Sequence, residues 1–291
     1  MLVNFEINQW QEYLPDSTQH NAINALEEGN ILFLPKLDFP LLKNELQFLT
    51  SEYADPNSKN ISLQCNTQRL WGVRHLSNDQ HLQLKRMLTR YCQAAHDLIR
   101  NLFPHYSRQL ITGRTSYRPQ QAANRKSSYR KDDQRLHVDA FPSAPNQGKR
   151  ILRVFTNINP HGEARVWRIG EPFPLVAEQF IQHIKKPLPG LSTALRMLRI
   201  TKSYRTAYDH YMLRLHDMMK ANMEYQKNAQ QQEVHFPANS SWVVMTDEVS
   251  HAAMSGQYLM EQTFYLPVQA MGDENKSPLH VLQKLLGRKL I

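Results

Sequence analysis

Cysteine is scarce in this chain of 291 residues: there are two, Cys65 and Cys92, far apart in sequence and without the spacing of a zinc site or a redox pair. A disulfide framework is excluded, and reduced thiols fit a cytoplasmic protein. Long apolar runs are missing too. No stretch approaches the roughly 18 uninterrupted apolar residues that a membrane-spanning helix needs. The opening, MLVNFEINQWQEYLPD, lacks the basic start, apolar run and small-residue cleavage site of a secretory signal, so export is not expected. There is no internal repeat, and the one low-complexity tract is the polar run Gln230–Gln232. Zinc-finger spacing, a recognition-helix signature and a stacking motif are also lacking, which argues against a nucleic-acid partner.

Acidic residues are in deficit. There are 35 Lys and Arg against 26 Asp and Glu, a net charge of +9, which favours an acidic partner such as nucleic acid, anionic lipid, or a carboxylate or phosphate substrate. The excess is concentrated: Arg108, Arg114, Arg118, Arg125, Lys126, Arg130, Lys131 and Arg135 are opposed only by Asp132 and Asp133. Hydrophobic spacing predicts a helix over Ser17–Glu28, a strand over Ile31–Leu34, and helices over Pro40–Tyr53 and His81–Phe103. After Pro104 the pattern turns to β-type runs at Leu110–Tyr117, Arg135–Phe141, Arg150–Asn157, Ala164–Ile169, Ser241–Thr246 and Gln257–Leu266. A helical insertion, Pro172–Gln232, interrupts them. Its stripe of Leu195, Leu198, Tyr204, Tyr208, Tyr211, Met212, Leu215 and Met219 reads as packing, and Arg196, Arg199, Lys202, Arg205 and Arg214 as a second basic face. The expectation is a mixed α+β chain forming one domain over residues 1–291. Residues 1–104 give support, 105–270 a β core, 172–232 the helical insertion within it, and 271–291 a tail.

The β run RLHVDAFPS places His137 and Asp139 on one face of an extended segment, about 6–7 Å apart. That spacing lets both reach one metal ion, although a chain with 13 histidines often contains a chance His-x-Asp. A third ligand must come from a distant strand, and His251 stands at the start of one, after the apolar strand and acidic turn of WVVMTDEVSH. Two histidines and one carboxylate leave positions open for a bidentate cosubstrate and dioxygen, as a ferrous site requires, whereas a structural zinc would want a fourth protein ligand. His161 and Glu163 in NPHGEAR have the same spacing and remain a rival pair, though in a Pro/Gly turn.

This arrangement resembles the ferrous, 2-oxoglutarate-dependent dioxygenases, whose double-stranded β-helix (jelly-roll, cupin-like) cores carry His-x-Asp on one strand and a remote His on another. The blocks RLHVDAFPSAPNQGKRILRVFTNINP, EARVWRIGEPF and SWVVMTDEVSHAAMSGQYLMEQTFYLP are similar to the bacterial Kdo hydroxylases, which oxidise 3-deoxy-D-manno-oct-2-ulosonic acid (Kdo) in the inner core of lipopolysaccharide. The likeness runs from about Arg114 to Pro267. It implies Fe(II) held by His137, Asp139 and His251, with 2-oxoglutarate and dioxygen as cosubstrates. The product would be the 3-hydroxylated sugar of Kdo-lipid A, with succinate and carbon dioxide released. Many relatives anchor the far carboxylate of 2-oxoglutarate with an arginine about ten residues past the distal histidine, where this chain has Glu261 and Gln262. The assignment therefore passes to Arg153, whose planar fork matches a carboxylate, with Asn157 on the same strand face. Arg118, Arg165 and Trp167, with Arg114, form the expected wall around substrate or cosubstrate, since an arginine inside a barrel needs an anion to offset its desolvation.

Two other classes stay open on the residues alone: a hydroxylase of protein or nucleic acid, and a non-redox cupin-like sugar-binding protein. If the substrate is a membrane glycolipid, the protein should meet the cytoplasmic face of the anionic inner membrane reversibly. In the tail SPLHVLQKLLGRKLI, the residues Leu279, Leu282, Leu285 and Leu286 form one apolar face, with Lys284, Arg288 and Lys289 beside it. That face either touches lipid or docks on the barrel.

Overall fold

The computed structural model describes residues 1–123 and 128–291, so Arg125 and Lys126 of the basic run lie outside the described residues. The strands, in chain order, are β1 (Leu2–Asn4), β2 (Ile31–Leu34), β3 (Ile61–Gln64), β4 (Arg69–Trp71), β5 (Ile111–Arg118), β6 (Arg150–Asn157), β7 (Arg165–Ile169), β8 (Gln232–Phe236), β9 (Ser240–Met245), β10 (His251–Ser255) and β11 (Leu259–Leu266). The α-helices are α1 (Asp16–Glu27), α2 (Asn78–Leu102), α3 (Pro104–Ser107), α4 (Phe173–Ile181), α5 (Leu191–Met197), α6 (Ala207–Ala221), α7 (Met223–Asn228) and α8 (Pro278–Leu286). Eight strands make one sheet in the order β1-β2-β9-β6-β11-β5-β3-β4, and three make a second in the order β10-β7-β8. Apart from the parallel pair β1–β2, every ladder is antiparallel.

The two sheets face each other across an aromatic layer. Phe155 of β6 meets Trp167 of β7 at a ring distance of 5.2 Å, and Phe236 of β8 stacks on Trp242 of β9 at 4.0 Å. The opposite face of the large sheet is covered by α1 and α2. Covered on both sides, β6 is buried at all eight positions, including Arg150 and Arg153, so its two guanidiniums must find anionic partners inside the fold. Helix α2 begins with a capping box between Ser77 and Gln80 and buries Leu84, Met87, Leu88, Tyr91, Ala95, Leu98 and Leu102. The Tyr91 hydroxyl reaches through to Val154 O and Thr156 Oγ1 of β6. This is the mixed architecture with a jelly-roll core that the sequence predicts.

Several local expectations are corrected. Pro40–Tyr53 is not an α-helix; its only helical turn is the 3₁₀ segment Leu46–Phe48. The buried Glu45 carboxylate accepts from Leu42 N and pairs with Arg90, which also donates to Pro40 O, so tertiary bonds replace the helical ladder there. Arg135–Phe141 is extended but is not a continuous strand. Among the described residues its one β-bridge is the isolated pair His137 and His251. The run Gln257–Leu266 begins its ladder at Leu259, after a turn that carries the chain from β10 in the small sheet to β11 in the large one, with Gly256 (φ 109°) and Tyr258 (φ 59°) in the left-handed region. Strands β1, β3, β4 and β8, each of five residues or fewer, were not among the expected runs. Cys65 and Cys92, distant in sequence, are neighbours, and a hydrogen bond from Cys92 pulls the Cys65 thiol down to about 7. The insertion stripe also divides: Tyr208, Tyr211, Met212, Leu215 and Met219 are buried, but Leu198 and Tyr204 are exposed. In the tail, Leu279 and Leu282 of α8 are buried and α8 packs against α4, so this helix docks on the fold.

Candidate metal centre and cosubstrate cleft

His137 and His251 lie directly opposite one another. His137 N donates to His251 O at 3.0 Å and His251 N to His137 O at 2.9 Å, which sets both imidazoles on one face. Two residues on, Asp139 N donates to Thr246 O at 2.8 Å, holding the carboxylate on the same side. One potential ligand atom from each of His137, Asp139 and His251 lies within 4.8 Å of the others. Among the described residues they are the only group of three or more such side chains placed to share an ion. His161 and Glu163 are exposed in their turn, where Asn159 Oδ1 accepts from both backbone amides, and they do not join the group.

Both histidines are already oriented. His137 Nδ1 is 2.7 Å from Arg135 O, and His251 Nδ1 is 2.7 Å from Val249 O. A carbonyl can only accept, so each Nδ1 carries the proton and each Nε2 presents a lone pair. Burial pushes both imidazoles below their ordinary pKa, with Lys220 adding to the effect at His137, so both are neutral at neutral pH. For Asp139, burial alone would raise the pKa, but the Arg153 guanidinium beside it outweighs burial and keeps the carboxylate ionised. Two neutral imidazoles and an anion form a donor set suited to a divalent ion. The buried Asp139 Oδ2 makes no hydrogen bond, although an Arg153 nitrogen approaches to 3.2 Å. Rings from other elements brace the pair: Trp167 stacks on His251 at 5.0 Å, and His216 of α6 meets His137 edge-on at 5.3 Å.

The arginines divide between two cavities. Arg153 is buried, pairs with Asp139, lies 3.5 Å from Glu261, and leaves Nε without a partner. With Arg114, Lys202, Glu261, Thr263 and Tyr265 it lines an open cleft of about 520 Å³. Arg118 and Arg165 line a separate cavity of about 30 Å³ with Lys59 and Asp133. Arg118 is shared between Asp133 and Glu261, whereas Arg165 is 2% exposed and, among the described residues, donates only to Gly256 O. Burial, with Arg118 beside it, disfavours the Arg165 charge. A guanidinium keeps its proton in proteins, so this site is suited to an anion. Arg114 is exposed and sits over the Trp71 ring. Trp167 is buried in the aromatic layer, its Nε1 unpartnered. The amide of Asn157 is fully used: Nδ2 donates to Glu163 O and Phe236 O, and Oδ1 accepts from Asn159 N.

Sequence reasoning missed Glu261 as the hub joining Arg118 to Arg153. Alternation along β11 from the inward Leu259 would have turned it inward. It also missed His216 and Lys220, an i, i+4 pair on α6, and Gln226 of α7, whose side chain satisfies both Leu136 N and Leu136 O. No local pattern reveals partners that come from 80 to 90 positions away.

A two-histidine, one-carboxylate centre on a jelly roll defines the class of mononuclear non-haem iron enzymes. A family model described as 3-deoxy-D-manno-oct-2-ulosonic acid (Kdo) hydroxylase matches residues 9–289, and the chain belongs to that family. It is similar to the crystal structure of the Kdo hydroxylase KdoO, a non-heme Fe(II) alphaketoglutarate-dependent dioxygenase, in complex with alphaketoglutarate and Fe(III). The two share 46% identity at a TM-score of 0.96, covering 100% of this chain and 97% of that one. The cobalt(II) complex matches with the same values, and the complex with succinate and Fe(III) does so at a TM-score of 0.95. No curated protein matches the sequence.

Proposed function

We propose that the chain is an Fe(II)- and 2-oxoglutarate-dependent hydroxylase that oxidises C3 of Kdo in Kdo-lipid A. His137 Nε2, Asp139 and His251 Nε2 would hold the iron. The observation that carries this reading is the freeing of both Nε2 lone pairs by backbone bonds at Nδ1, beside an ionised carboxylate, in a chain of this family. When bound, iron with 2-oxoglutarate and dioxygen supplies an oxidative decarboxylation that drives hydroxylation and yields succinate and carbon dioxide. The protein's part is binding, orientation and exclusion of water. Arg153, buried and with a free Nε, takes the far carboxylate of 2-oxoglutarate. Arg114 at the exposed rim of the same cleft, with Arg118 reaching it through Glu261, accepts the carboxylate of the sugar and the negative charge around it, and Arg165 adds positive charge behind Arg118. Trp167 acts through His251, and Asn157 acts by holding the turn that leads to β7.

The glycolipid substrate implies peripheral contact with the cytoplasmic face of the inner membrane. No helix among the described residues is long and apolar enough to cross a bilayer. Kdo-lipid A incubated with the protein, ferrous iron and 2-oxoglutarate should gain one oxygen on its sugar fragment by mass spectrometry, and none when either additive is left out. Succinate accumulating over unmodified glycolipid contradicts the substrate assignment.

A further inference from the structure

We infer that residues 185–204, the exposed middle of the helical insertion, form a docking surface for an anionic lipid bilayer. From Gln179 to Tyr208 the chain contains no Asp or Glu but has Lys185, Lys186, Arg196, Arg199, Lys202 and Arg205. Within the same stretch Leu188, Met197, Leu198, Ile200 and Tyr204 are 70%, 76%, 70%, 53% and 56% exposed. A monomeric protein tolerates apolar side chains scattered singly on its surface, but five of this size in 17 consecutive positions, interleaved with cations alone, call for a partner. Apolar side chains beside Lys and Arg suit a headgroup layer, in which the former enter the acyl boundary and the latter meet lipid phosphates.

The segment is built to hold this form. Leu195 O accepts from both Ile200 N and Thr201 N, and Ser192 Oγ accepts from Arg205 N at 2.8 Å. It is also tied to the site. Lys202 N donates to Ser143 O and Arg205 Nη2 to Pro142 O, on the loop that follows Asp139. Lys202 and Ser203 line the 520 Å³ cleft with Arg153. A bilayer seated on residues 185–204 would therefore border the mouth of the cleft, where a glycolipid sugar must enter. The surface rests on the glycolipid reading for its purpose, but its binding can be measured without any turnover.

The test is flotation of the full chain with phosphatidylglycerol/phosphatidylethanolamine vesicles and with neutral phosphatidylcholine vesicles, at low and high salt. The variants are Met197→Ser/Leu198→Ser/Ile200→Ser and Lys186→Glu/Arg196→Glu. The wild-type protein should bind the anionic vesicles only, and less at high salt. A basic residue near an anionic surface contributes about fivefold to partitioning, so the charge variant should lose roughly 25-fold or more. The serine variant should lose binding at both salt concentrations. Both variants should retain wild-type turnover of a soluble Kdo oligosaccharide, which shows that they fold. Variants that float like the wild type overturn the inference, as does a wild-type protein that ignores anionic vesicles. So does a protein that instead dimerises through this face, with the serine variant monomeric in size-exclusion chromatography. Vesicle binding as expected with no Kdo oxidation would instead fault the glycolipid reading and leave the surface standing.

Discussion

His137 and His251 are fixed by backbone carbonyls at Nδ1, so the Nε2 atoms proposed to take the metal need no rearrangement before binding. Each of His137→Ala, Asp139→Ala and His251→Ala should abolish turnover with little change in circular dichroism, because each removes one of three ligands. His161→Ala should keep both iron and activity, and iron loss in that variant would restore the rival pair. Arg153→Ala should raise the apparent KM for 2-oxoglutarate by about one and a half to three and a half orders of magnitude, since a charge-assisted bidentate contact is worth about 2–5 kcal/mol. An unchanged cosubstrate dependence would transfer the role to Arg165, the buried arginine without a carboxylate. Acid should destabilise the metal-free protein. The folded-state pKa values of His137, His251, His96 and His210 are depressed by burial. Their stabilising effect is present above about pH 6.5 and is lost as pH falls below it. Glu248, raised to about 7 by burial, opposes this in the window between about 4.5 and 7, but it is one group against four. Thermal unfolding from pH 8 to pH 5 should show a falling Tm, and a rising one would contradict the assignment.

At the scale of elements, the stretch that carries His137 and Asp139, two of the proposed metal ligands, is held by side chains where a strand would use a ladder. Gln226 Oε1 accepts from Leu136 N at 2.7 Å, while Nε2 donates to Leu136 O and Met219 O. Gln226→Leu would strand a buried amide and a buried carbonyl, costing about 1–3 kcal/mol of stability and about 10–100-fold in iron affinity. Denaturant unfolding and metal titration read the two effects, and a loss of stability with iron affinity intact would make Gln226 a purely structural residue. The same stretch shows what the sequence can and cannot convey. Alternation around His137 correctly put His and Asp on one side, because side-chain direction is local. It wrongly promised a full strand, because the competing partner, Gln226, lies 90 positions away. Helix α2 was legible along its body and at its C-terminal end, since its 3.6-residue stripe is a local signal, but its expected start at His81 falls three residues inside the observed Asn78 because the Ser77–Gln80 capping box was not read. Pro40–Tyr53 was not, because Arg90 and the buried Glu45 decide its course. The insertion stripe failed at Leu198 and Tyr204 for a related reason: helical spacing identifies an apolar face but not whether protein or something else covers it.

Across the whole molecule, two facing sheets, helices behind the larger one and an insertion over the metal centre bring together groups that are about 110 residues apart in sequence at His137 and His251. The positive excess seen in the sequence resolves into three distinct uses. Arg150 is consumed internally by Asp247 and Glu248. Arg118, Arg153 and Arg165 surround the site, and the cations of residues 185–204 face outward. Charge counting alone could not separate these, because burial sets their roles. The central claim is that this arrangement couples dioxygen, 2-oxoglutarate and Kdo in one reaction, and turnover under oxygen-18-labelled dioxygen in ordinary water tests it most directly. The account predicts one labelled oxygen in succinate and one on the Kdo ring for each coupled turnover, with neither present in the Asp139→Ala variant. Sugar oxygen derived from water, or labelled succinate formed with no oxygen added to Kdo, would contradict it.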